Sequence, residues 1–463
     1  MRKIVRALSS GILRVVLRIF FRRIEIDGAL RIPKRGPVVF VSNHPNGLVD
    51  PLFLLCFSPR PVSFLAKAPL FHMPVVGFFV RAFQSIPVHR RQDPGSDVAR
   101  NRETFAQARE LLARGGVLAL FPEGASHDEP RLLDLKTGAA RITLGVVAEE
   151  GLPIVPSSLY YTWKSRFRSS ALLSFGEPLQ VAPVALDERG EPPPRETREL
   201  TGRIEAALSQ LTLQSQTREA LDLVRRAERV FSIEEDGAPE PLSEQLALRR
   251  RFVAGAALLS QRDPARFATL QARIARFEAE RKEAGLPLEH LAPEALTTRA
   301  LTRLTLRNVG SLVLLPLAAL GALLHYPAYR LAGFLADRFA RGEEDQMATL
   351  KAGSSALLFP ATWAAFAAAA WILLGRRAAV VASVLAPVSG YAALRARESL
   401  DLLIGRARAL LSMFSRGYAT RRLLEERRAI REEILRIASE LGLSAAAVAL
   451  RPGGRESPTQ GQA

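Results

Sequence analysis

Between residues 28 and 181, short β-favouring apolar runs alternate with stretches of helical periodicity, and this alternation constrains the fold more than any other feature. The runs Val38–Val41, Val62–Leu65, Ser85–Val88, Val117–Phe121, Ile154–Leu159 and Leu172–Phe175 read as strands. Helices are expected near Asp50–Phe57, Val76–Ala82, Val98–Arg114 and Lys136–Glu149. The rhythm predicts an α/β domain with a mostly parallel sheet flanked by helices, whose strand ends carry the functional site.

The first such end is Val38-Val-Phe-Val-Ser-Asn-His44-Pro-Asn-Gly-Leu-Val-Asp50-Pro51, where a buried strand runs into turn chemistry. Asp50 lies six positions on, close enough for a turn leading into a helix to fold its carboxylate back onto His44. That pairing would fix the imidazole tautomer and support the positive charge that arises when the ring takes a proton. No Gly-x-Ser-x-Gly elbow lies nearby, so the hydroxyl to be deprotonated is assigned to a substrate. The competing reading is a turn histidine that merely bonds backbone.

The segment Asn43-His44-Pro45-Asn46-Gly47-Leu48-Val49-Asp50-Pro51 resembles the first motif of the membrane-associated glycerolipid acyltransferases. That family includes the glycerol-3-phosphate and lysophosphatidic acid acyltransferases. Most members separate His from Asp by four residues, whereas here five intervene. The longer spacing followed by Val-Asp-Pro is similar to the branch with fungal glycerol-3-phosphate and dihydroxyacetone-phosphate acyltransferases. Three further motifs extend the resemblance over roughly residues 30 to 180.

Ser85-Ile86-Pro87-Val88-His89-Arg90-Arg91 ends a strand in two arginines, whose planar guanidinium groups suit phosphate. The resemblance implies that Arg90 holds the acceptor's phosphate, with Arg91 in support; a solvated Arg pair is the plain alternative. Phe121-Pro122-Glu123-Gly124 matches the family's third motif, which implies that Glu123 and Gly124 line the acceptor pocket. Glu123 would bond the acceptor hydroxyl or orient neighbouring groups, while general-base duty is left to His44. Lys136 is expected either to attract phosphate or to be solvated, and His127 is expected on the surface. In Leu152-Pro153-Ile154-Val155-Pro156, Pro156 would wall an acyl groove or simply belong to a core strand.

Composition agrees with anionic partners and a lipid-facing role. Lys plus Arg outnumber Asp plus Glu by 64 to 46, for a net charge of +18 that suits lipid headgroups, phosphorylated substrates or an acidic carrier protein. No nucleic-acid-binding motif accompanies the arginines, so nucleic acid is not an expected partner. The single cysteine, Cys56, excludes an intrachain disulfide and is expected in the core. The six histidines form no His-x-x-x-His pair, and no metal is expected.

Five regions follow. Residues 1–27 are expected to form a basic amphipathic helix on a membrane surface, with Arg14, Arg18 and Arg22 on one face; packing on the chain's own core is the alternative. Residues 28–183 form the acyltransferase domain, and 184–300 a Pro-rich linker and helices broken near Gly237 and Pro264. Residues 301–396 are expected to carry two or three hydrophobic helices, with uncharged gaps between Arg307 and Arg330 and between Lys351 and Arg376, and a slightly short third candidate over Ala378–Leu394 that contains Pro387 and Gly390. Residues 397–463 form a basic helical tail with a disordered end.

The whole predicts a multi-pass membrane acyltransferase with its catalytic domain on the cytoplasmic face. It would move an acyl group from acyl-CoA or acyl carrier protein, as substrate rather than cofactor, to glycerol-3-phosphate or dihydroxyacetone phosphate. Lysophosphatidic acid is the alternative acceptor. A non-catalytic lipid-binding scaffold and a lipid hydrolase are readings from other classes.

Overall fold

A computed structural model describes residues 2–89, 101–146, 151–231, 240–285, 314–340, 343–415 and 417–442. Arg90, Arg91, Gly237, the 98–100 and 147–149 ends of two expected helices, and the tail beyond 442 lie outside the described residues. The chain divides into two compact units, one of residues 1–214 with 321–390 and the other of residues 215–320 with 391–463.

In the first unit helix α1 (Arg2–Phe20) leads into β1 (Arg23–Asp27), then β2 (Val38–Ser42), α2 (Val49–Phe57), β3 (Val62–Lys67), α3 (Pro74–Ala82) and β4 (Ile86–Val88). Next come α4 (Asn101–Ala113), β5 (Val117–Leu120), α5 (Gly138–Leu144), β6 (Leu152–Tyr161), β7 (Ser170–Phe175), β8 (Leu179–Val181) and α6 (Pro194–Leu211). The sheet runs β1-β7-β6-β2-β5-β3-β4, with β8 also on β6. Pairing is parallel except where β6 meets β7 and β8. This is the expected α/β layering with a mostly parallel sheet.

Successive side chains of a strand face opposite ways, and β2 shows the consequence. Val38 and Phe40 join one buried cluster with Phe53 and Leu54 of α2, whereas Val39 and Val41 join another with Ile142 of α5 and Ile204 of α6. Both faces of the central strands are therefore covered, which is why those strands read as unbroken apolar runs. Cys56 is buried in the first cluster, and burial pushes its thiol up to about 11.

Two strands were not expected. Arg23–Asp27 was assigned to the end of an N-terminal helix, but it forms an edge strand paired with β7. Its charged composition, Arg-Ile-Glu-Ile-Asp, suits an edge and hides it from a search for apolar runs. The three-residue β8 is too short to leave a pattern.

Helix α1 has two apolar faces rather than one. Leu13, Leu17 and Phe20 are buried in the cluster that holds Phe40 and Phe53, whereas Ile4, Leu8, Ile12, Val15 and Ile19 form an exposed stripe. Two arginines anchor the helix to the domain: Arg6 donates to the carbonyl of Val62, and Arg14 to that of Cys56 at 2.5 Å.

Helices α10 (Leu315–Phe339), α11 (Glu344–Leu374) and α12 (Arg376–Ser415) follow the second unit's first helices. By length and composition two helices among the described residues suffice to cross a bilayer, Asp345–Leu374 and Arg376–Asp401. The uncharged gap after Arg307 begins outside the described residues, and the part that α10 covers holds Pro327 and ends at Arg330. In the second unit α7 (Arg218–Phe231), α8 (Leu242–Arg262), α9 (Pro264–Glu283) and α13 (Gly417–Glu440) share a core that includes Val230, Phe277 and Ile430. The break expected near Pro264 is there, with Asp263 accepting from the backbone N–H of Arg266 as the cap of α9.

The two faces of α1 give a direct test. Leu17→Ala should destabilise the protein by about 2–5 kcal/mol, while Leu8→Ala on the exposed stripe should stay within about 0.5 kcal/mol in denaturant melts.

Candidate active site

Strands β2 and β5 run side by side in parallel, with Val38 opposite Val117 and Val41 opposite Leu120. Their turns therefore leave the same edge of the sheet together. Parallel pairing of β2 with β6 brings the end of β6 to that edge as well. Asn43 continues the pairing through its side chain, accepting from Leu159 N–H at 2.8 Å and donating to Leu159 C=O at 3.0 Å. His44 follows at a point held on both sides.

Asp50 lies in the first turn of α2, where the helix N-terminus favours a carboxylate. Its side chain is fully buried, and three donors compensate the charge. Oδ2 accepts from His44 Nδ1–H at 2.8 Å and from the backbone N–H of Asn46 at 2.6 Å. Oδ1 accepts from the hydroxyl of Tyr161 at 2.7 Å. Burial first, then the charge and hydrogen bond of Asp50, raise the Tyr161 phenol well above its usual range. With Nδ1 committed as donor, Nε2 is left as the basic nitrogen of His44. Phe121 stacks on the ring at 3.9 Å between centroids and 11° between planes, which fixes its tilt.

Glu123 is the second buried carboxylate, and both its oxygens are engaged. Oε1 accepts from His44 N–H at 2.9 Å; Oε2 accepts from Leu133 N–H at 2.9 Å and pairs with His127 Nε2. His127 Nδ1 accepts from the backbone N–H of Glu129 at 3.1 Å, so the proton shared with Glu123 belongs to Nε2. The backbone N–H of His127 in turn donates to His44 C=O at 3.2 Å. Glu123 thus ties the two turns together. Of the two duties expected of it, this arrangement favours orienting its neighbours over bonding an acceptor hydroxyl.

The other expected site residues divide. Gly124 takes φ +77°, a left-handed conformation that glycine accepts without strain. Lys136 is exposed, and its side chain passes 3.5 Å from where a Cβ on Gly124 would stand, so the two border one surface. Pro156 is buried inside β6 opposite Val41, which makes it a core strand residue and not a groove wall. His127, expected on the surface, is mostly buried because Glu123 holds it. Arg90 and Arg91 lie outside the described residues.

Sequence reasoning missed Tyr161, Phe121 and the start of α11. Thr349 Oγ1 accepts from Leu48 N–H at 3.0 Å, and Ser126 Oγ bonds Asp345 Oδ2. The aromatic end of β6 was visible as Tyr160-Tyr161; no local signal marked the other pair.

Residues 23–160 match the acyltransferase family. The chain is 25% identical over 431 residues to glycerol-3-phosphate O-acyltransferase 1 of Saccharomyces cerevisiae, covering 73% of this chain and 56% of that one. It is 31% identical over 145 residues to a chloroplastic 1-acyl-sn-glycerol-3-phosphate acyltransferase of Arabidopsis thaliana, covering 31% of this chain and 38% of that one. The chain thus spans about half or less of the length of these curated relatives. A solved 1-acyl-sn-glycerophosphate acyltransferase from Thermotoga maritima aligns with TM-score 0.35 and 21% identity, over 45% of this chain and 78% of that one.

The Tyr161–Asp50 bond has a pH signature. Because the folded phenol titrates above its unfolded value, its contribution is complete below about pH 10 and is lost as pH rises toward the folded value. Tyr161→Phe should remove that alkaline slope from stability curves. It should also cost about 1–3 kcal/mol at neutral pH, since Asp50 Oδ1 loses its donor.

Proposed function

We propose that this chain, a glycerolipid acyltransferase family member related to the glycerol-3-phosphate and lysophosphatidic acid acyltransferases, esterifies the free hydroxyl of a 1-acylglycerol-3-phosphate with a fatty acyl group from a thioester donor. The observation that carries this reading is the His44–Asp50 pair, 2.8 Å apart, beside the Glu123 turn. His44 Nε2 takes the acceptor's hydroxyl proton as the oxygen attacks the thioester carbonyl. The C–S bond breaks, the departing thiolate takes the proton from the imidazolium, and ester and free thiol leave. Asp50 holds the ring and stabilises its transient charge. Acyl-CoA or an acyl carrier protein supplies the thioester.

Arg90, with Arg91, grips the acceptor's phosphate in this reading, and Lys136 beside Gly124 adds positive charge at the pocket border. Glu123 orients the His44 backbone.

A lipid acceptor is preferred over a soluble one because an apolar helix starts at the catalytic turn. Helix α11 touches Leu48 through Thr349, and its span Asp345–Leu374 has 30 residues, about 45 Å, against about 30 Å of hydrocarbon. None of its most apolar stretch is buried, and Trp371 to Leu374 are strongly exposed. This supports membrane association with the site at the bilayer edge, where the exposed stripe of α1 would also meet lipid. A cytoplasmic catalytic face and an even number of crossings complete the proposal.

Glycerol-3-phosphate, first in order on sequence grounds, becomes the second reading. It is favoured by the long alignment with the yeast glycerol-3-phosphate O-acyltransferase.

Acyl transfer by the purified protein, with lysophosphatidic acid, glycerol-3-phosphate and dihydroxyacetone phosphate compared, tests both. Lysophosphatidic acid should give the highest kcat/KM, and faster turnover of either soluble acceptor would restore the earlier order. His44→Ala should lower transfer by about 10²–10⁴-fold while membrane binding persists. Arg90→Ala should chiefly raise KM for the acceptor; an unchanged KM would remove Arg90 from phosphate binding.

A further inference from the structure

The start of α11 does more than leave the catalytic domain. Asp345 and Thr349 are one helical turn apart and so share a face. Thr349 Oγ1 accepts from the backbone N–H of Leu48, the cap residue of α2, which has no side-chain cap of its own. Asp345 Oδ2 takes the hydroxyl of Ser126, three residues beyond Glu123. The same face therefore grips both catalytic turns.

The fit between them is close. Gly47 lies at φ +37°, and a Cβ there would come within 2.8 Å of the Asp345 carbonyl oxygen and 2.9 Å of Thr349 Oγ1. Asp345 is 5% exposed, and Ala348 on the intervening turn is fully buried in the cluster that holds Phe53 and Phe40. Lys351 adds a bond to the carbonyl of Ser165 at 3.2 Å. An unpaired helix-start N–H is a loose end, and the half-buried Thr349 hydroxyl that accepts from it sets where the first turn of α2, and thus Asp50, must lie.

We propose that Thr349 and Asp345 are positioning residues for acyl transfer: the first turns of the apolar helix cap α2 and clamp the Glu123 turn, completing an active site that residues 23–160 alone leave open. The inference rests on the reading of His44 and Asp50 as base and orienter. Neither Thr349 nor Asp345 touches the reacting atoms; they act through Leu48, Ser126 and the backbone that carries the pair. A small misplacement of a base lowers the chemical step more than it lowers binding, so the effect belongs in kcat.

Two substitutions at one position separate this role from packing. Thr349→Val keeps the side chain's volume and removes the hydroxyl; Thr349→Ser keeps the hydroxyl and loses a methyl. Full-length protein in detergent or vesicles is assayed for kcat and KM, with thermal melts to count folded enzyme. Thr349→Val should lower kcat about tenfold with KM for donor and acceptor within about twofold, and Thr349→Ser should retain most of the activity. Ser126→Ala, which breaks the Asp345 contact from the other side, should lower kcat in the same way. Wild-type kcat in Thr349→Val, or Thr349→Ser as impaired as Thr349→Val, overturns the proposal, as does an effect confined to KM. His44→Ala is the control: if it stays active, the underlying reading of the site fails, whereas its inactivity beside a fully active Thr349→Val defeats the positioning role alone.

Discussion

A fully buried carboxylate dictates much of the architecture around it. Removing Asp50 from water is costly unless each oxygen finds donors, and breaking a buried charged pair typically costs about 3–5 kcal/mol. The donors come from three directions: the His44 ring, the N–H of Asn46 and the hydroxyl of Tyr161. Satisfying them together requires the exit of β2, the first turn of α2 and the end of β6 to converge. The parallel β2–β6 pairing and the Asn43 link to Leu159 supply that convergence. A ring so held keeps one tautomer, which is the condition for using its other nitrogen as a base.

Glu123 shows how a second carboxylate of the same kind serves a different end. Its acceptors are spent on the backbone of His44 and Leu133 and on His127, so it welds the β2 and β5 turns rather than facing a substrate. The division is chemical: Asp50 bonds the imidazole itself, whereas Glu123 bonds the main chain that carries it. Phe121, one of the two residues between β5 and Glu123, adds the stacking that sets the ring's tilt.

The same economy extends beyond the sheet. Helix α1 buries Leu13, Leu17 and Phe20 against α2 and the sheet while leaving a second apolar stripe exposed. Helix α11 lodges Asp345 and Ala348 in the first unit before its exposed apolar length begins. Elements suited to lipid are therefore also structural parts of the unit that holds the His44–Asp50 pair, and under the proposed function this ties the position of that pair to the bilayer surface.

Much of this was legible in the residues. The central strands β2 and β5 read as apolar runs because both their faces are buried, and His44, Asp50 and Glu123 stand out because turn chemistry follows each strand. The edge strand β1 escaped because three of its five residues are charged, and His127 was misplaced because acidic neighbours suggested solvent where a buried carboxylate claims the ring. Local pattern determined the α/β layering and which residues could carry chemistry, since periodicity and turn propensity act over a few positions. Only the tertiary structure decided that Tyr161, 111 residues from Asp50, and Thr349, 301 residues from Leu48, meet them. Contacts at such separation are set by how layers pack, and a hydroxyl that will meet a distant donor leaves no mark on its own neighbours in the chain.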